Sequence, residues 1–245
     1  MKILVCVSNV PDTTTKITFT EDKSSLVNNG IQYVINPYDE IALTRAIELT
    51  EADGGSVTVI NVGEASTDPT IRKALAIGAN DAIRINAAPR DAWYVANQIA
   101  HVAKDGGYDL ILTGRESIDY NGSQVAAMIG ELLGIPSVSI SKSLKIQGNN
   151  AILDREIEGG QQVVAATLPI VASSSEGMAE PRIPNMRGIM SARSKPLQVL
   201  EPIEVENLTS IVKYDTPKGR GQVTLVEPDQ TDKLIDLLHS EAKVI

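Results

Sequence analysis

The sequence is poor in the residue types that most often carry chemistry. It contains one cysteine, two histidines, one tryptophan and one phenylalanine in 245 residues. A single cysteine excludes an internal disulfide, and the histidines have no metal-ligand spacing and no place in a catalytic triad. The scarcity of aromatic side chains also excludes a stacking surface for single-stranded nucleic acid. We therefore expect no catalytic residues, no metal site, and a chain that acts by binding.

Charge and hydropathy exclude further classes of partner. The formal net charge is −9 and the pI is about 4.8, which argues against nucleic acid and anionic membranes. No apolar run approaches the ~20 residues that span a bilayer, so we expect no direct membrane insertion. The chain begins on an apolar strand that contains Cys6, expected to be a small core residue rather than a nucleophile. With no signal or transit peptide predicted, we expect a cytoplasmic location.

The first 140 residues alternate between strands and helices. Apolar runs predict strands at residues 2–7, 57–62, 82–85, 108–112 and 137–140, and helical periodicity predicts helices from Asn36 to about Thr50, at 70–77 and at 91–104. The connections are short, which favours right-handed crossovers in a parallel sheet. The sequence thus predicts a doubly wound α/β domain with a mostly parallel sheet.

The pattern changes after residue 141. Short apolar segments separated by Gly-containing turns predict antiparallel strands at 144–146, 151–157 and 161–168, and then a strand at 169–173 that returns to the sheet. Residues 174–195 show no clear periodicity. Beyond Pro196 we expect little core and a terminal amphipathic helix at 230–242. We predict one domain at 1–195 and an extended arm at 196–245 that lies on a partner, with a flexible tail as the alternative.

The stretch from Asp109 to Glu131 is the best candidate for a binding site. It predicts a buried strand, a polar loop with two glycines, and a helix that begins near the cap-type residues Asn121, Gly122 and Ser123. Ligands of open α/β sheets bind beyond the carboxyl ends of strands, and a helix N-terminus suits a phosphate. The alternative is an ordinary strand-to-helix loop that binds nothing.

Several segments together resemble the β (small) subunit of electron transfer flavoproteins. They are KILVCV at the start, NPYDEIAL at 36–43, TIRKALAIGANDAIRI at 70–85, GRESIDYNGSQV at 114–125, DREIEGG at 154–160 and AEPRIPNMRGIMSARSKP at 179–196. The resemblance covers essentially the whole chain. It implies an adenine nucleotide α-hydrolase-like fold and a heterodimer with an α subunit that holds the redox-active FAD. Electrons would come from acyl-CoA dehydrogenases of fatty acid β-oxidation, or other flavin dehydrogenases, and leave to a quinone oxidoreductase.

The resemblance also implies a structural AMP in this subunit. The matching positions are Cys6, Asn36, Pro37, Tyr38, Asp39, Val62, Gly114, Arg115, Ser117, Asp119, Asn121, Gly122, Ser123, Gln124 and Val125. The physics of the loop agrees, because residues 122–125 offer backbone N–H groups to a phosphate at a helix start. Asn36 and Asp39 can offer amide and carboxylate groups to a sugar or base.

The loop at residues 114–125 and the residues that follow it depart from the family pattern at several positions. Val125 matches electron-bifurcating relatives, which bind a second FAD here and use NADH as donor, but Ala126 and Ala127 replace their glycine and proline. Tyr120 stands where the family has an acid, and would close the pocket or stack on a base. AMP is therefore preferred, with a second FAD or an empty pocket as alternatives. A stand-alone nucleotide-binding module remains a third hypothesis.

The docking loop, residues 179–196, resembles the segment that contacts dehydrogenases in the family. Met186 matches the family's anchoring leucine, and the flexible thioether suits varied pockets. Ile189 and Met190 accompany it, and the cations of the loop would steer an acidic partner. These cations are Arg182, Arg187, Arg193 and Lys195. The alternative is a solvated basic loop with Met186 as minor core.

The resemblance also assigns roles to three further residues. Arg155 and Glu156 match a pair whose acid orients the mobile flavin domain of the α subunit, although a solvated face is an equal alternative. Thr13 lies where relatives place a side chain near the α-subunit FAD.

Overall fold

The computed structural model describes residues 1–219, 221 and 223–245. Its secondary structure alternates as the sequence predicts through the first half. The helices are α1 (Pro37–Asp53), α2 (Asp68–Ile77), α3 (Ala92–Lys104), α4 (Val125–Leu133), α5 (Met186–Ala192) and α6 (Thr231–Leu237), the last continued by a π-helical turn at Leu238–Ala242. The strands are β1 (Lys2–Cys6), β2 (Asn9–Pro11), β3 (Tyr33–Ile35), β4 (Ser56–Val62), β5 (Asp81–Ile85), β6 (Leu110–Gly114), β7 (Ser137–Gln147), β8 (Asn150–Ile157), β9 (Gly160–Thr167), β10 (Ile170–Ser174) and β11 (Leu197–Leu200).

A nine-stranded sheet organises the larger of two compact units, Met1–Thr18 with Val27–Ile211. Its strand order is β11-β5-β4-β1-β6-β10-β7-β8-β9, and pairing is parallel from β11 to β7. The strands β7, β8 and β9 pair antiparallel and form the hairpin insertion. A separate two-stranded sheet joins β2 and β3. The predicted doubly wound, mostly parallel α/β fold is confirmed.

Each face of the sheet carries its own helices and core. Successive side chains of a strand point to opposite faces, and β1 shows this directly. Ile3 and Val5 belong to the core formed with α1 and α2, whereas Leu4 and Cys6 belong to the core formed with α3 and α4. A strand covered on both faces reads as a continuous apolar run, which is why KILVCV was recognisable.

Three local expectations are corrected. The strands predicted at 137–140 and 144–146 are one strand, β7, whose register shifts between Ser141 and Ser143. The stretch without periodicity contains the short helix α5, capped by the Asn185 side chain, which accepts from the Gly188 N–H at 2.8 Å. Beyond residue 196, β11 forms the sheet edge beside β5. The predicted boundary at 196 stays a prediction, although the compact unit extends to Ile211.

The second unit combines Phe19–Leu26 with Val212–Ile245. The rings of Phe19 and Tyr214 stack with centroids 4.8 Å apart, and the Tyr214 N–H donates to the Lys23 carbonyl oxygen at 2.9 Å. Lys23 also pairs with Asp215 at 2.5 Å. The predicted terminal helix is present as α6 and its π-helical continuation. In the described part of the chain, none of the helices combines the length and the apolar composition needed to cross a bilayer.

Candidate functional site

A cavity of about 440 Å³ opens beyond the carboxyl ends of β1, β4 and β6 in the larger unit. The strands β1 and β6 are neighbours in the sheet, but the chain leaves them toward opposite edges: the next strand of this sheet after β1 is β4, on one side, and the next after β6 is β7, on the other. This is a topological switch point, the usual ligand site of open α/β sheets. The volume lies within the roughly 300–1,000 Å³ typical of small-molecule pockets.

The structure brings most of the predicted nucleotide-binding residues to this cavity. Those that line it are Cys6, Asp39, Val62, Gly114, Arg115, Ser117, Asp119, Ser123, Gln124 and Val125. The other predicted residues lie beside the wall: Asn36, Pro37, Tyr38, Asn121 and Gly122. Pro37 begins α1 and Tyr38 lies under the Arg115 guanidinium, 5.4 Å from the ring centroid. Nucleotide contact by these residues stays a prediction.

Asn36 and Asp39 connect the loops that form the cavity. The Asn36 side chain is fully buried, donates to the Glu116 carbonyl oxygen at 2.8 Å and accepts from the Ile118 N–H at 3.2 Å. The Asp39 carboxylate accepts from the backbone N–H groups of Ser8 at 2.7 Å and Gly114 at 2.8 Å. Their polar atoms therefore serve the chain itself, which makes both residues organisers of the wall.

Burial changes the ionisation of two groups at this wall. It raises the pKa of Asp39 to about 7, although the hydrogen bonds from Ser8, Asn36 and Gly114 act in the opposite direction. Burial, assisted by the nearby Asp39, also raises the pKa of the Cys6 thiol well above its ordinary value. The thiol is therefore neutral near pH 7, which agrees with the predicted role of Cys6 as a small core residue.

The loop before α4 adopts an unusual backbone. Asn121 and Ser123 have positive φ angles of 52° and 50°, a region that costs energy for residues other than glycine. Glu116 holds both, because its carboxylate accepts from the Asn121 amide at 3.2 Å and the Ser123 hydroxyl at 3.0 Å. The prediction that Asn121, Gly122 and Ser123 cap the helix is wrong. The helix begins at Val125 with no side-chain cap.

The absence of a side-chain cap leaves the first backbone N–H groups of α4 available to a ligand. The first N–H groups of any helix have no intrahelical acceptor, and Ser123, Gln124 and Val125 line the cavity. Arg115 lies on the same wall, with its Nε atom buried and, among the described residues, without a hydrogen-bond acceptor. Its distance to the Glu116 carboxylate is 3.8 Å. The arrangement suits an anion such as phosphate.

Sequence reasoning missed the wall opposite the α4 loop. It begins at the end of β4 and includes Asn61, whose amide donates to the Val7 carbonyl oxygen at 2.8 Å and accepts from the Thr67 hydroxyl at 2.8 Å. A strand followed by a glycine-bearing polar stretch (INVGEAST) was the available signal. Other lining residues come from distant elements and had no local signal: Asn28, Tyr33, Ala88, Pro89, Val95 and Ile99.

Tyr120 lies at the mouth of the cavity. It lines the cavity while its side chain remains 55 % exposed. Its ring lies so close to Gly122 that a Cβ there would be 2.0 Å from a ring carbon. Burial raises the pKa of Tyr120, and the charges of Asp119, Asp39 and Asp91 add to the effect. The phenol is therefore neutral near pH 7, and its partly exposed ring belongs to the lining of the cavity.

The docking loop exposes its apolar residues. Met186 is 73 % exposed, Met190 70 % and Ile183 92 %, while Ile189 is 42 % exposed. The alternative in which Met186 is minor core is thus wrong. Two of the four cations predicted to form a patch are engaged within the chain, because Arg182 binds Glu51 and Lys195 binds backbone carbonyl oxygens. Arg187 and Arg193 remain exposed.

The remaining predicted residues lie apart from the cavity. Arg155 and Glu156 are on β8, where Arg155 donates to the Ser139 hydroxyl at 3.3 Å and Glu156 pairs with Lys142 at 3.3 Å. Thr13 is exposed in the turn after β2. Their predicted roles toward an α subunit stay predictions. Within the described residues, no group of His, Cys, Asp or Glu side chains is arranged to hold a metal ion.

Comparison of the sequence with known proteins identifies the family. The family model described as electron transfer flavoprotein domain matches residues 24–205. The chain is 36 % identical over 259 residues to electron transfer flavoprotein subunit beta of Bacillus subtilis (strain 168), with 100 % of both chains covered. It is 33 % identical to the subunit of the same name from Syntrophomonas wolfei, covering 100 % of this chain and 98 % of the relative. The human subunit is 29 % identical, with 93 % of each chain covered.

Both the extent and the identity of these matches exceed what a shared fold alone produces, and they include the segments around the cavity and the docking loop. The resemblance first noted in the sequence is therefore confirmed, and the chain belongs to the electron transfer flavoprotein family as one of its β subunits.

Proposed function

We propose that this chain works in a heterodimer with an α subunit that holds the redox-active FAD. The heterodimer takes electrons from acyl-CoA or related flavin dehydrogenases and passes them to a quinone oxidoreductase. Membership of the family supports the role of a flavoprotein subunit. The exposed apolar residues of the docking loop support brief contact with a dehydrogenase.

We further propose that the cavity at the switch point holds an AMP. The observation that carries this is the N-terminus of α4, which has no side-chain cap and lines the cavity together with Arg115. A phosphate would accept from both, since charge-assisted hydrogen bonds to an anion are the strong ones. The lining also includes the apolar side chains of Ile60, Val95 and Ile99, which suit the face of an adenine ring.

The decisive experiment is to release and identify the nucleotides of the purified heterodimer by denaturation and mass spectrometry. We expect one FAD and one AMP per heterodimer. To assign the AMP to this cavity, Ala126→Phe would fill it, because Ala126 is buried and lines the wall. Ala127→Phe is the matched control on the exposed neighbouring position of α4. AMP lost only from the first variant, with FAD retained in both, supports the proposal.

A second candidate is the bifurcating type, in which a second FAD replaces AMP and NADH is the electron donor. Its specific support is Val125, which lines the cavity and is shared with bifurcating relatives. Two FAD and no AMP per heterodimer, together with NADH oxidation, would favour it and refute the AMP assignment. If extraction yields FAD alone at one per heterodimer, both nucleotide assignments fail. Family membership leaves no support for a stand-alone nucleotide-binding module.

A further inference from the structure

The docking loop is attached to α2 by hydrogen bonds at its C-terminal end. One guanidinium nitrogen of Arg72 donates to the carbonyl oxygens of Ala192 at 2.8 Å and Lys195 at 2.7 Å. Ala192 is the last residue of α5, and the final carbonyl groups of a helix have no intrahelical donor. Arg72 thus satisfies the carbonyl group of the last residue of α5, while the backbone N–H groups of Arg193 and Ser194 donate to the carbonyl oxygens before it.

The docking loop in turn supplies a cap for the C-terminal end of α2. The ammonium group of Lys195 donates to the carbonyl oxygens of Leu75 at 2.8 Å and Ala79 at 2.6 Å. Both lie in the last turn of α2 or just beyond it, where a cation is favoured by the helix dipole. Lys195 is half-buried, and this burial lowers the pKa of its ammonium group. The two helices therefore cap each other.

Packing between the two helices is close enough to require glycine. A Cβ at Gly188 would lie 2.3 Å from the carbonyl oxygen of Ala76 on α2. Ala192, one turn further along α5, is only 3 % exposed. The face of α5 that bears Gly188 and Ala192 is therefore fixed against α2, and the opposite face presents Met186 and Met190 to solvent.

A further contact at the start of the loop is weaker. Arg182 binds the Glu51 carboxylate in bidentate fashion at 2.9 Å and 2.8 Å. The Glu51 side chain is 59 % exposed, and exposed ion pairs add little to stability. The carbonyl caps made by Arg72 and Lys195 are more sheltered, so they decide how firmly α5 is held.

We propose that Arg72 and Lys195 are positioning residues for electron transfer: they hold α5 in one orientation so that Met186 and Met190 form a pre-organised anchor for the dehydrogenase. Ordering a loop during binding costs affinity, and a loop that is already ordered avoids this cost. Arg72 itself lies outside the docking face and outside the cavity. The inference rests on the docking role proposed above, and it adds the residues that make this role efficient.

The test uses the heterodimer with Arg72→Met, which keeps a long apolar stem but removes both hydrogen bonds. Lys73→Met is the matched control: it removes a neighbouring cation of α2 that pairs with Glu40 on α1 and not with the loop. Arg72→Lys is the rescue variant, since one ammonium group can serve two carbonyl oxygens, as Lys195 does. Lys195→Met tests the reciprocal cap if Arg72→Met fails to assemble.

Two measurements separate this inference from the docking proposal. Hydrogen exchange of the amides of residues 186–193 reports how firmly α5 is held, whatever the partner. The KM and kcat for reduction by an acyl-CoA dehydrogenase report docking. For Arg72→Met we expect exchange at least about tenfold faster, KM at least about tenfold higher with kcat unchanged, and an unaltered nucleotide content. Lys73→Met should resemble wild type, and Arg72→Lys should recover most of both losses.

Three outcomes overturn a specific part of the reasoning. Unchanged exchange in Arg72→Met refutes the positioning role directly. Faster exchange with unchanged KM, while Met186→Ala raises KM, refutes the link from positioning to docking and leaves the docking role intact. If wild type takes no electrons from the dehydrogenase, the docking proposal fails with that partner, and the exchange rates alone decide whether Arg72 holds α5.

Discussion

Replacing Asp39 by asparagine should flatten the pH dependence of the stability of this chain. The carboxylate is 4 % exposed and links the end of β1 to the end of β6 through the N–H groups of Ser8 and Gly114. Burial raises its pKa from 3.8 to about 7. In the unfolded chain, where it is hydrated, it titrates at its ordinary value. Between pH 3.8 and about pH 7, the native state therefore keeps a proton on Asp39 that the unfolded chain has lost.

The sign follows from this difference in proton binding. Where the native state binds more protons than the unfolded state, the free energy of unfolding falls as pH rises. The contribution of Asp39 is therefore full below about pH 4 and is lost as pH rises through about 7. Three pKa units at about 1.4 kcal/mol each give about 4 kcal/mol in total, of which about 2 kcal/mol falls between about pH 5.5 and about pH 8.

The asparagine variant cannot ionise, so it lacks this slope. Its amide oxygen can accept from one of the two backbone N–H groups, but its NH₂ group cannot accept from the other. The unpaired N–H lowers the free energy of unfolding by about 1–3 kcal/mol at the acid end of the range. Urea unfolding followed by the fluorescence of Trp93, the single tryptophan, gives the free energy at each pH. The expected result is a wild type that loses about 2 kcal/mol more than Asp39→Asn between the two pH values.

Asp12→Asn is the matched control for the same chemical change. Asp12 lies in an exposed turn, where the Thr14 hydroxyl and N–H lower the pKa of its carboxyl below 3.8. Asp12 therefore stays ionised between about pH 5.5 and about pH 8, and Asp12→Asn should keep the wild-type dependence of the free energy of unfolding on pH. Parallel slopes for wild type and Asp39→Asn would show that Asp39 titrates near its ordinary value, and the account of its burial would be refuted.

The remaining predictions concern the cavity and the docking loop. Met186→Ala should raise KM for a dehydrogenase about tenfold, because truncating an interface anchor costs about 1–2 kcal/mol, and nucleotide content should stay unchanged; a normal KM would refute the anchor. Tyr120→Ala should speed exchange of bound AMP into isotopically labelled AMP, because the mutation removes a partly exposed ring from the cavity lining, and an unchanged rate would exclude this role. Gly114→Ala should destabilise the chain by about 1–3 kcal/mol, since its Cβ would lie 2.3 Å from an Asp39 carboxylate oxygen; an unchanged urea midpoint would contradict this.

The pattern of residues was sufficient to locate one half of the site. A buried strand, a polar loop and a helical repeat follow each other between residues 109 and 131, and the structure places that loop at the cavity. The signal was local, because an apolar run followed by glycines ends a strand wherever it occurs. The second wall, after β4, had a similar but weaker pattern. Val95 and Ile99 reach the cavity only because α3 packs on the same face as α4.

Roles of individual polar groups were harder to predict than their positions. Asn36 and Asp39 were expected to face a ligand, yet their polar atoms bind backbone groups of other loops. Arg182 and Lys195 were expected to form a surface patch, yet they pair with Glu51 and with the carbonyl groups of α2. A sequence shows which donors and acceptors exist, but their partners lie tens of residues away and are set by the packing.

The sequence by itself determined the alternation of strands and helices, the hairpin insertion, the buried position of Cys6 and the family, because each depends on periodicity, turn residues or local motifs. Tertiary structure alone decided that β11 forms one edge of the sheet and that α4 begins without a side-chain cap. It also decided that Arg72 of α2 binds carbonyl groups of the docking loop, and that Lys195 of the loop binds carbonyl groups of α2. These features depend on contacts between distant residues, and hydrogen-bond partners across such distances are chosen only when the chain is folded.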